Sequence, residues 1–210
     1  MSDFAETGRL WLRRAIPQGE VRALREAGSE NGRIAPPHPV FDPAQTWCAA
    51  VRSLWPAMRP VRAVGFDKRK GANWAVPWHQ DRIIAVKDRR DVPGFSNWSQ
   101  KSGVWHCAPP LDILRPMLFG RLQLDAGDAG SGAMEIALGS HRAGHVTAAD
   151  AGDVAGRCEI EVAEAEPGDV LVLSMLMLHR SRPSRVDAPR RTFRLYLSDR
   201  TLPFGLDWTM

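Results

Sequence analysis

A sandwich or barrel of short strands behind a helical lead-in is the fold class that the sequence predicts. Three observations carry it. Near Val61 the apolar residues change from helical to alternating spacing. Seven short apolar segments then follow, separated by turn chemistry such as Asp128-Ala129-Gly130-Ser131-Gly132 and Glu166-Pro167-Gly168-Asp169. No strand–helix–strand rhythm interrupts them, which argues against a doubly wound sheet.

Taken in chain order, Leu10-Trp11-Leu12 reads as a short strand. Pro17 to Ala27 carries Val21, Leu24 and Arg25 at helical spacing, with proline near the start and Gly28 as the stop. Gly32 to Pro43 holds four prolines and reads as a loop. Pro43 to Met58 places Trp47, Val51, Leu54, Trp55 and Met58 on one face of an amphipathic helix. The strand segments are Val61–Phe66, Trp74–Val86, Met117–Leu124, Gly132–Ala137, Glu159–Val162, Asp169–Leu178 and Arg191–Ser198. The polar, Gly/Pro-bearing stretch Arg89 to Pro110 is long for a connection and predicts a lid.

Composition sets outer limits. The chain has 210 residues, 44% apolar and 25% charged, which suits one folded domain over 1–210: a lead-in over 1–60 and a strand core over 61–200. Disorder, a collagen-like repeat and a spanning helix are excluded. The start, Met1 to Glu6, lacks the pattern of a secretory signal, and three widely spaced cysteines (Cys48, Cys107, Cys158) suit a reduced, cytoplasmic setting. Lys+Arg number 28 against 24 Asp+Glu, yet only Lys68, Lys70, Lys87 and Lys101 are lysines. Seven arginines lie between Arg180 and Arg200, interleaved with apolar residues; this is the pattern of a solvated or ligand-directed set, not of a basic nucleic-acid tail.

The chemistry concentrates around Trp78-His79-Gln80-Asp81. In a strand, His79 and Asp81 point to one face, where an imidazole and a carboxylate can take adjacent positions on a metal. A second histidine from another strand would complete a facial triad with open positions, the pattern of non-haem Fe(II) oxygenases. His179 ends the apolar run Asp169–Leu178, where a barrel would present such a ligand. A proline-containing loop then folds the chain back to Arg190, whose guanidinium could fork onto a carboxylate. Arg190, Thr192, Arg194 and Tyr196 share one strand face; Arg191, Phe193, Leu195 and Leu197 share the other. Trp74, Trp78, Trp98 and Trp105 fall close to the ligand strand, as core packing or as an aromatic substrate pocket. His106, His141 and His145 read as structural.

His79-Gln80-Asp81, His179-x-Ser181 and Arg190 eleven residues beyond the second histidine resemble the phytanoyl-CoA dioxygenase family of Fe(II)/2-oxoglutarate oxygenases. The middle of the chain is similar too: Arg121-Leu122-Gln123-Leu124-Asp125, Gly130 to Ile136, and Leu138-Gly139-Ser140-His141, with Leu138 where that family's turn has proline. The resemblance implies a double-stranded β-helix, a distorted cupin-like jelly roll flanked by helices, with Fe(II), 2-oxoglutarate and O2 at its open end. It assigns His79, Asp81 and His179 to the metal, and Arg190 and Ser181 to the distal carboxylate of 2-oxoglutarate. Further cosubstrate contacts map loosely to Asn73, Arg121 and Gln123, and substrate contacts to Trp78, Trp105 and Arg62. Because Asp81 keeps the carboxylate that halogenating relatives replace, the expected reaction is oxidation of a small-molecule substrate, hydroxylation above all, with release of succinate and CO2. Such an enzyme is expected to act as a monomer or homodimer, without nucleic-acid or membrane partners. The competing readings are a non-catalytic metal- or ligand-binding jelly roll, an Arg-rich nucleic-acid binder, and a zinc hydrolase, which would give Arg190 no task.

Overall fold

The contrast between the two faces of the strand Arg190–Ser198 organises the molecule. In the computed structural model, which describes residues 2–28, 31–68 and 73–210, Phe193, Leu195 and Leu197 point into an apolar layer beneath the lead-in helices. Arg190, Arg194 and Tyr196 point the other way, into a cavity. The alternation expected of this strand holds over its length.

The helices are α1 (Ser2–Thr7), α2 (Gln18–Glu26), α3 (Thr46–Leu54), α4 (Leu111–Leu114) and α5 (Ala151–Ala155). The strands are β1 (Arg9–Leu12), β2 (Gly32–Ile34), β3 (Arg59–Lys68), β4 (Val76–His79), β5 (Ile84–Val86), β6 (Ser96–Lys101) and β7 (Val104–Ala108). They continue with β8 (Leu118–Gln123), β9 (Met134–Ala137), β10 (Ile160–Val162), β11 (Val170–Ser174), β12 (His179–Ser181) and β13 (Arg190–Ser198). A six-stranded sheet has the order β1-β11-β8-β13-β3-β2, and a four-stranded sheet the order β10-β9-β12-β4, all pairs antiparallel. A small third sheet, β5-β7-β6, closes one end.

The two larger sheets bury side chains from both sides of the six-stranded sheet. On its outer face Leu122, Val170, Val172 and Phe193 meet Val21 and Leu24 of α2 and Trp47 and Val51 of α3. On its inner face Phe119, Leu171 and Leu173 meet Met134 and Ile136 of β9. This explains why the run 170–178 is apolar on both faces, with Ser174 its one polar residue. The run is not one strand, however. β11 stops at Ser174, Met177 N–H turns back to the Ser174 carbonyl at 3.0 Å, and the chain crosses to the other sheet at His179. Exchange of consecutive strands between facing sheets is the jelly-roll arrangement.

Several expectations need correction. Trp74–Val86 is split: β4 ends at His79, and β5 starts a different sheet at Ile84. The predicted lid over 89–110 contains the hairpin β6–β7, whose first strand is too polar to announce itself by apolar alternation. The loop 32–43 contributes the short edge strand β2. The helix predicted over Pro43–Met58 shortens to α3, and α1, α4 and α5 were not expected. The turn at 128–132 is as predicted: Gly132 has φ +68°, and a Cβ there would lie 2.3 Å from the Arg182 carbonyl oxygen. No helix among the described residues is long and apolar enough to cross a membrane.

Candidate metal centre and cationic cavity

His79 and His179 face each other directly in the β4–β12 register, with ring centroids 4.2 Å apart. Asp81 lies past the end of β4, so its convergence with His79 comes from the irregular stretch after the strand, not from strand parity. Ligand atoms of His79, Asp81 and His179 all lie within 4.8 Å of one another. His79 Nε2 is 3.9 Å from Asp81 Oδ1, and His179 Nε2 is 3.7 Å from Asp81 Oδ2.

Backbone carbonyls set the tautomers. His79 Nδ1 lies 2.8 Å from the Pro77 oxygen and His179 Nδ1 lies 3.0 Å from the Met177 oxygen. Each Nδ1 therefore donates its proton backwards, and each Nε2 turns a lone pair towards the shared centre. His179 Nε2 is buried and has no hydrogen-bond partner among the described residues. Burial, reinforced by Arg194, pushes the His179 imidazole down to about 3, so at neutral pH it is an uncharged donor. An orphaned, neutral, buried nitrogen beside a carboxylate is what a divalent metal would satisfy.

Asp81 is anchored from behind. Arg194 Nη1 donates to Asp81 Oδ2 at 2.5 Å, and the Tyr196 hydroxyl donates to the same oxygen at 3.0 Å. The Arg194 guanidinium is itself buried between the rings of Phe66 and Phe119, 5.1 and 4.9 Å from their centroids. Burial alone would raise the Asp81 carboxyl, but Arg194 and the two histidines overrule it and hold it well below its ordinary value. The group is a carboxylate at any working pH.

Gln80, between two candidate ligands, points the opposite way. Its amide donates to the Leu176 and Gly144 carbonyls at 2.8 and 2.7 Å and accepts from Val146 N–H at 2.9 Å. It ties the His79–Asp81 segment to the segment that leads into His179. Replacing it with Leu is expected to weaken Ni(II) binding about 10- to 100-fold with all three ligands retained, as loss of outer support does at metal sites. Calorimetric titration with Ni(II) checks this; unchanged affinity would show that the ligand strands hold their spacing without it.

Beside the triad opens a cavity of about 260 Å³. Its walls include Arg190, Ser181, Arg121 and Arg62, all expected at the site, together with Lys68, Trp74, Arg194 and Tyr196. Lys68 Nζ lies 3.5 Å from Ser181 Oγ and donates to the Arg182 carbonyl at 2.7 Å. Among the described residues no carboxylate lies within 4.0 Å of Arg62, Lys68, Arg121 or Arg190. Buried Arg190 and Arg121 each keep an Nε without a partner among the described residues. Burial lowers Arg190 to about 10, and burial with the charges of Arg190 and Arg121 lowers Lys68 to about 8. Like charges buried together without a counter-ion point to an anionic ligand.

Four expected contacts fall elsewhere. Asn73 is exposed, because β4 begins only at Val76; its amide is paired in both directions with the Ser184 backbone at 2.8 Å. Gln123 is buried opposite Thr192 but does not line the cavity. Trp78 lies under Arg180 against a small core around Leu178, and Trp105 packs onto the main core from β7. Lys68 and Tyr196 were missed as site residues. The alternation of β13 marked Tyr196 as facing the cavity, whereas nothing local to Lys68 marks it as buried.

A family model described as "Phytanoyl-CoA dioxygenase (PhyH)" matches residues 29–192. No curated protein matches the chain. Among solved structures, AviO1 from Streptomyces viridochromogenes Tue57 superposes with a TM-score of 0.67 at 16% identity, over 96% of this chain and 94% of that one. The non-haem α-ketoglutarate-dependent carbocyclase SnoK from nogalamycin biosynthesis superposes with a TM-score of 0.64 at 16% identity, over 94% and 82%. HygX from Streptomyces hygroscopicus, with nickel and 2-oxoglutarate bound, superposes at 0.60 and 18% identity, over 93% and 84%. At these identities the likeness is one of fold.

Proposed function

Because the chain belongs to the phytanoyl-CoA dioxygenase family, we propose that it is an Fe(II)/2-oxoglutarate-dependent oxygenase that hydroxylates a small molecule. The observation that carries this reading is the His79, Asp81 and His179 cluster opening onto a cavity lined by cations that lack carboxylate partners. HygX, of like fold, has been solved with nickel and 2-oxoglutarate bound. The donor set suits Fe(II): two neutral imidazoles and one carboxylate, leaving positions for other ligands.

When bound, iron would activate O2, the oxidant, with 2-oxoglutarate as the two-electron co-reductant released as succinate and CO2. The chain's own tasks are to bind, orient and exclude water. His79, Asp81 and His179 hold the metal, and Arg194 and Tyr196 keep Asp81 charged and fixed. Arg190 and Ser181, with Lys68 and Arg121 beside them, take the distal carboxylate of the cosubstrate. Val64, Phe66, Val76 and Met134 supply the apolar wall that keeps bulk water out. We read 1–210 as one functional domain, and the three unpaired cysteines fit a reducing cytoplasm.

Most arginines of the segment 180–200 are ion-paired or buried, although Arg182, Arg185 and Arg200 are exposed; this argues against a dedicated nucleic-acid surface. Arg180 and Arg182 pair with Glu135, Arg191 with Asp125 and Arg194 with Asp81, while Arg190 is buried. Addition of Fe(II) and 2-oxoglutarate without oxygen is expected to produce a weak visible metal-to-ligand band. No such band, and no succinate on admitting oxygen with candidate substrates, would overturn the assignment. A second expectation follows from Lys68. Its ammonium helps to hold the dicarboxylate, so 2-oxoglutarate affinity falls as pH rises through about 8, a dependence absent from Lys68→Met in calorimetric titrations at pH 6.5 to 9.5.

A further inference from the structure

We propose that the prime substrate carries an anionic group, a carboxylate or phosphate, received by Arg62 with Arg33 behind it, at the end of the cavity opposite Arg190. This rests on the oxygenase reading of the metal centre and adds a substrate class to it.

The strand register makes the cavity wall cationic at two separate ends. β3 turns Arg62, Val64, Phe66 and Lys68 to the cavity, and β13 sets Tyr196, Arg194, Thr192 and Arg190 opposite them in that order. Lys68 and Arg190, with Arg121 nearby, form the end assigned to the cosubstrate. Arg62 lies six residues away, about 20 Å along the strand at about 3.4 Å per residue. Arg194 occupies the middle and is neutralised by Asp81. One dicarboxylate held at the Lys68 end leaves the Arg62 end without a counter-ion.

Arg62 is built as a receiver. It is only partly buried, and its Nη1 donates to the Ile83 carbonyl at 3.2 Å while its Nε has no partner among the described residues. The guanidinium carbon sits 5.0 Å from the Tyr196 ring centroid, which fixes the plane of the fork. Arg33 of β2 pairs with Val64 in the β2–β3 register. It therefore shares the cavity face with Arg62, on the diagonal, and its buried Nη1 also has no partner among the described residues. His106 of β7 lies close to this pair. Burial lowers its basicity first, and Arg62, Arg33 and Lys101 lower it further, which places it within the field of both arginines. Among the described residues Asp81 is the only acidic group on the cavity wall, and Tyr196 touches both sides: its hydroxyl donates to Asp81 and its ring lies against Arg62. One tyrosine ring thus separates the anion's seat from a metal ligand. The substrate is accordingly a small molecule oxidised close to its anionic group.

The test is a pair of calorimetric titrations on the full chain loaded with Ni(II). Titration of 2-oxoglutarate comes first and reports on the oxygenase reading; no binding there would overturn that reading. Inorganic phosphate, and acetate in a parallel arm, are then added with 2-oxoglutarate saturating. Binding of at least one anion is expected, weakened about tenfold by Arg62→Gln, as on loss of a charge-assisted hydrogen bond, and largely retained by Arg62→Lys. The stronger of the two probes names the anion class. Arg62→Gln keeps a donor for the Ile83 carbonyl, and Arg33→Gln is the second variant, expected to weaken the same anion with 2-oxoglutarate affinity unchanged. No binding of either anion by the wild type, or equal binding in wild type, Arg62→Gln and Arg33→Gln, would overturn the proposal.

Discussion

Asp81→Ala is expected to remove metal binding and also to destabilise the metal-free protein by about 3 kcal/mol, whereas His79→Ala removes metal binding with little loss of stability. The difference lies in what each side chain leaves behind. His79 is about a third exposed, at 32%, and its ring proton meets a backbone carbonyl that water can reach. Asp81 is the only described carboxylate within 4.0 Å of Arg194, a guanidinium 7% exposed and stacked between two phenylalanines. Removing one partner of a buried pair strands the other, which costs about 3–5 kcal/mol in comparable cases. Denaturant unfolding of the three metal-free proteins at pH 7 measures the difference; equal stability of Asp81→Ala and His79→Ala would show that the pair does not hold the fold. The native carboxyl is held below its ordinary 3.8. Its contribution is therefore complete at neutral pH and is lost only as pH falls below that value. In the wild type this loss should coincide with the onset of acid unfolding.

How much of this was open to sequence reasoning depends on where the information sits. His79 with Asp81, and His179 with Ser181 and Arg190, stand at short offsets within two segments 100 residues apart, and the resemblance to a known family joined them into one site. β13 reads from its alternation because its two faces differ so sharply. Arg194 also alternates correctly, but its role depends on Asp81, 113 residues earlier. Lys68 ends β3 as a strand-terminal lysine ordinarily ends in solvent, and its burial follows from pairing with Arg190. β6 is polar and largely exposed, held as a strand by its ladder to β7 and not by an apolar face. Asn73 was placed at the site by carrying strand parity back from His79, but β4 begins only at Val76. Trp78 and Trp105 were placed there as aromatics near the ligand strand, and both pack against apolar clusters instead.

Arg190→Ala is expected to weaken 2-oxoglutarate binding by about 30- to 1,000-fold, the equivalent of about 2–4 kcal/mol for one side of a buried, hydrogen-bonded charge pair. The apo protein should not suffer with it. Arg190 sits buried beside Lys68 and Arg121 with no described carboxylate in reach, and burial already lowers its basicity to about 10. Truncation removes a repulsion that depresses Lys68, so thermal unfolding without ligand should be unchanged or slightly raised. What disappears is the stabilisation that 2-oxoglutarate confers by binding only the native state. A residue serving mainly to hold the fold would show the reverse: a lower melting temperature without ligand and a preserved ligand-induced rise. Calorimetric titration with unchanged 2-oxoglutarate affinity in Arg190→Ala would move the distal-carboxylate role to Lys68 or Arg121. The cavity thus carries unfavourable charge in the empty protein, and that charge becomes favourable only once an anion lies within it.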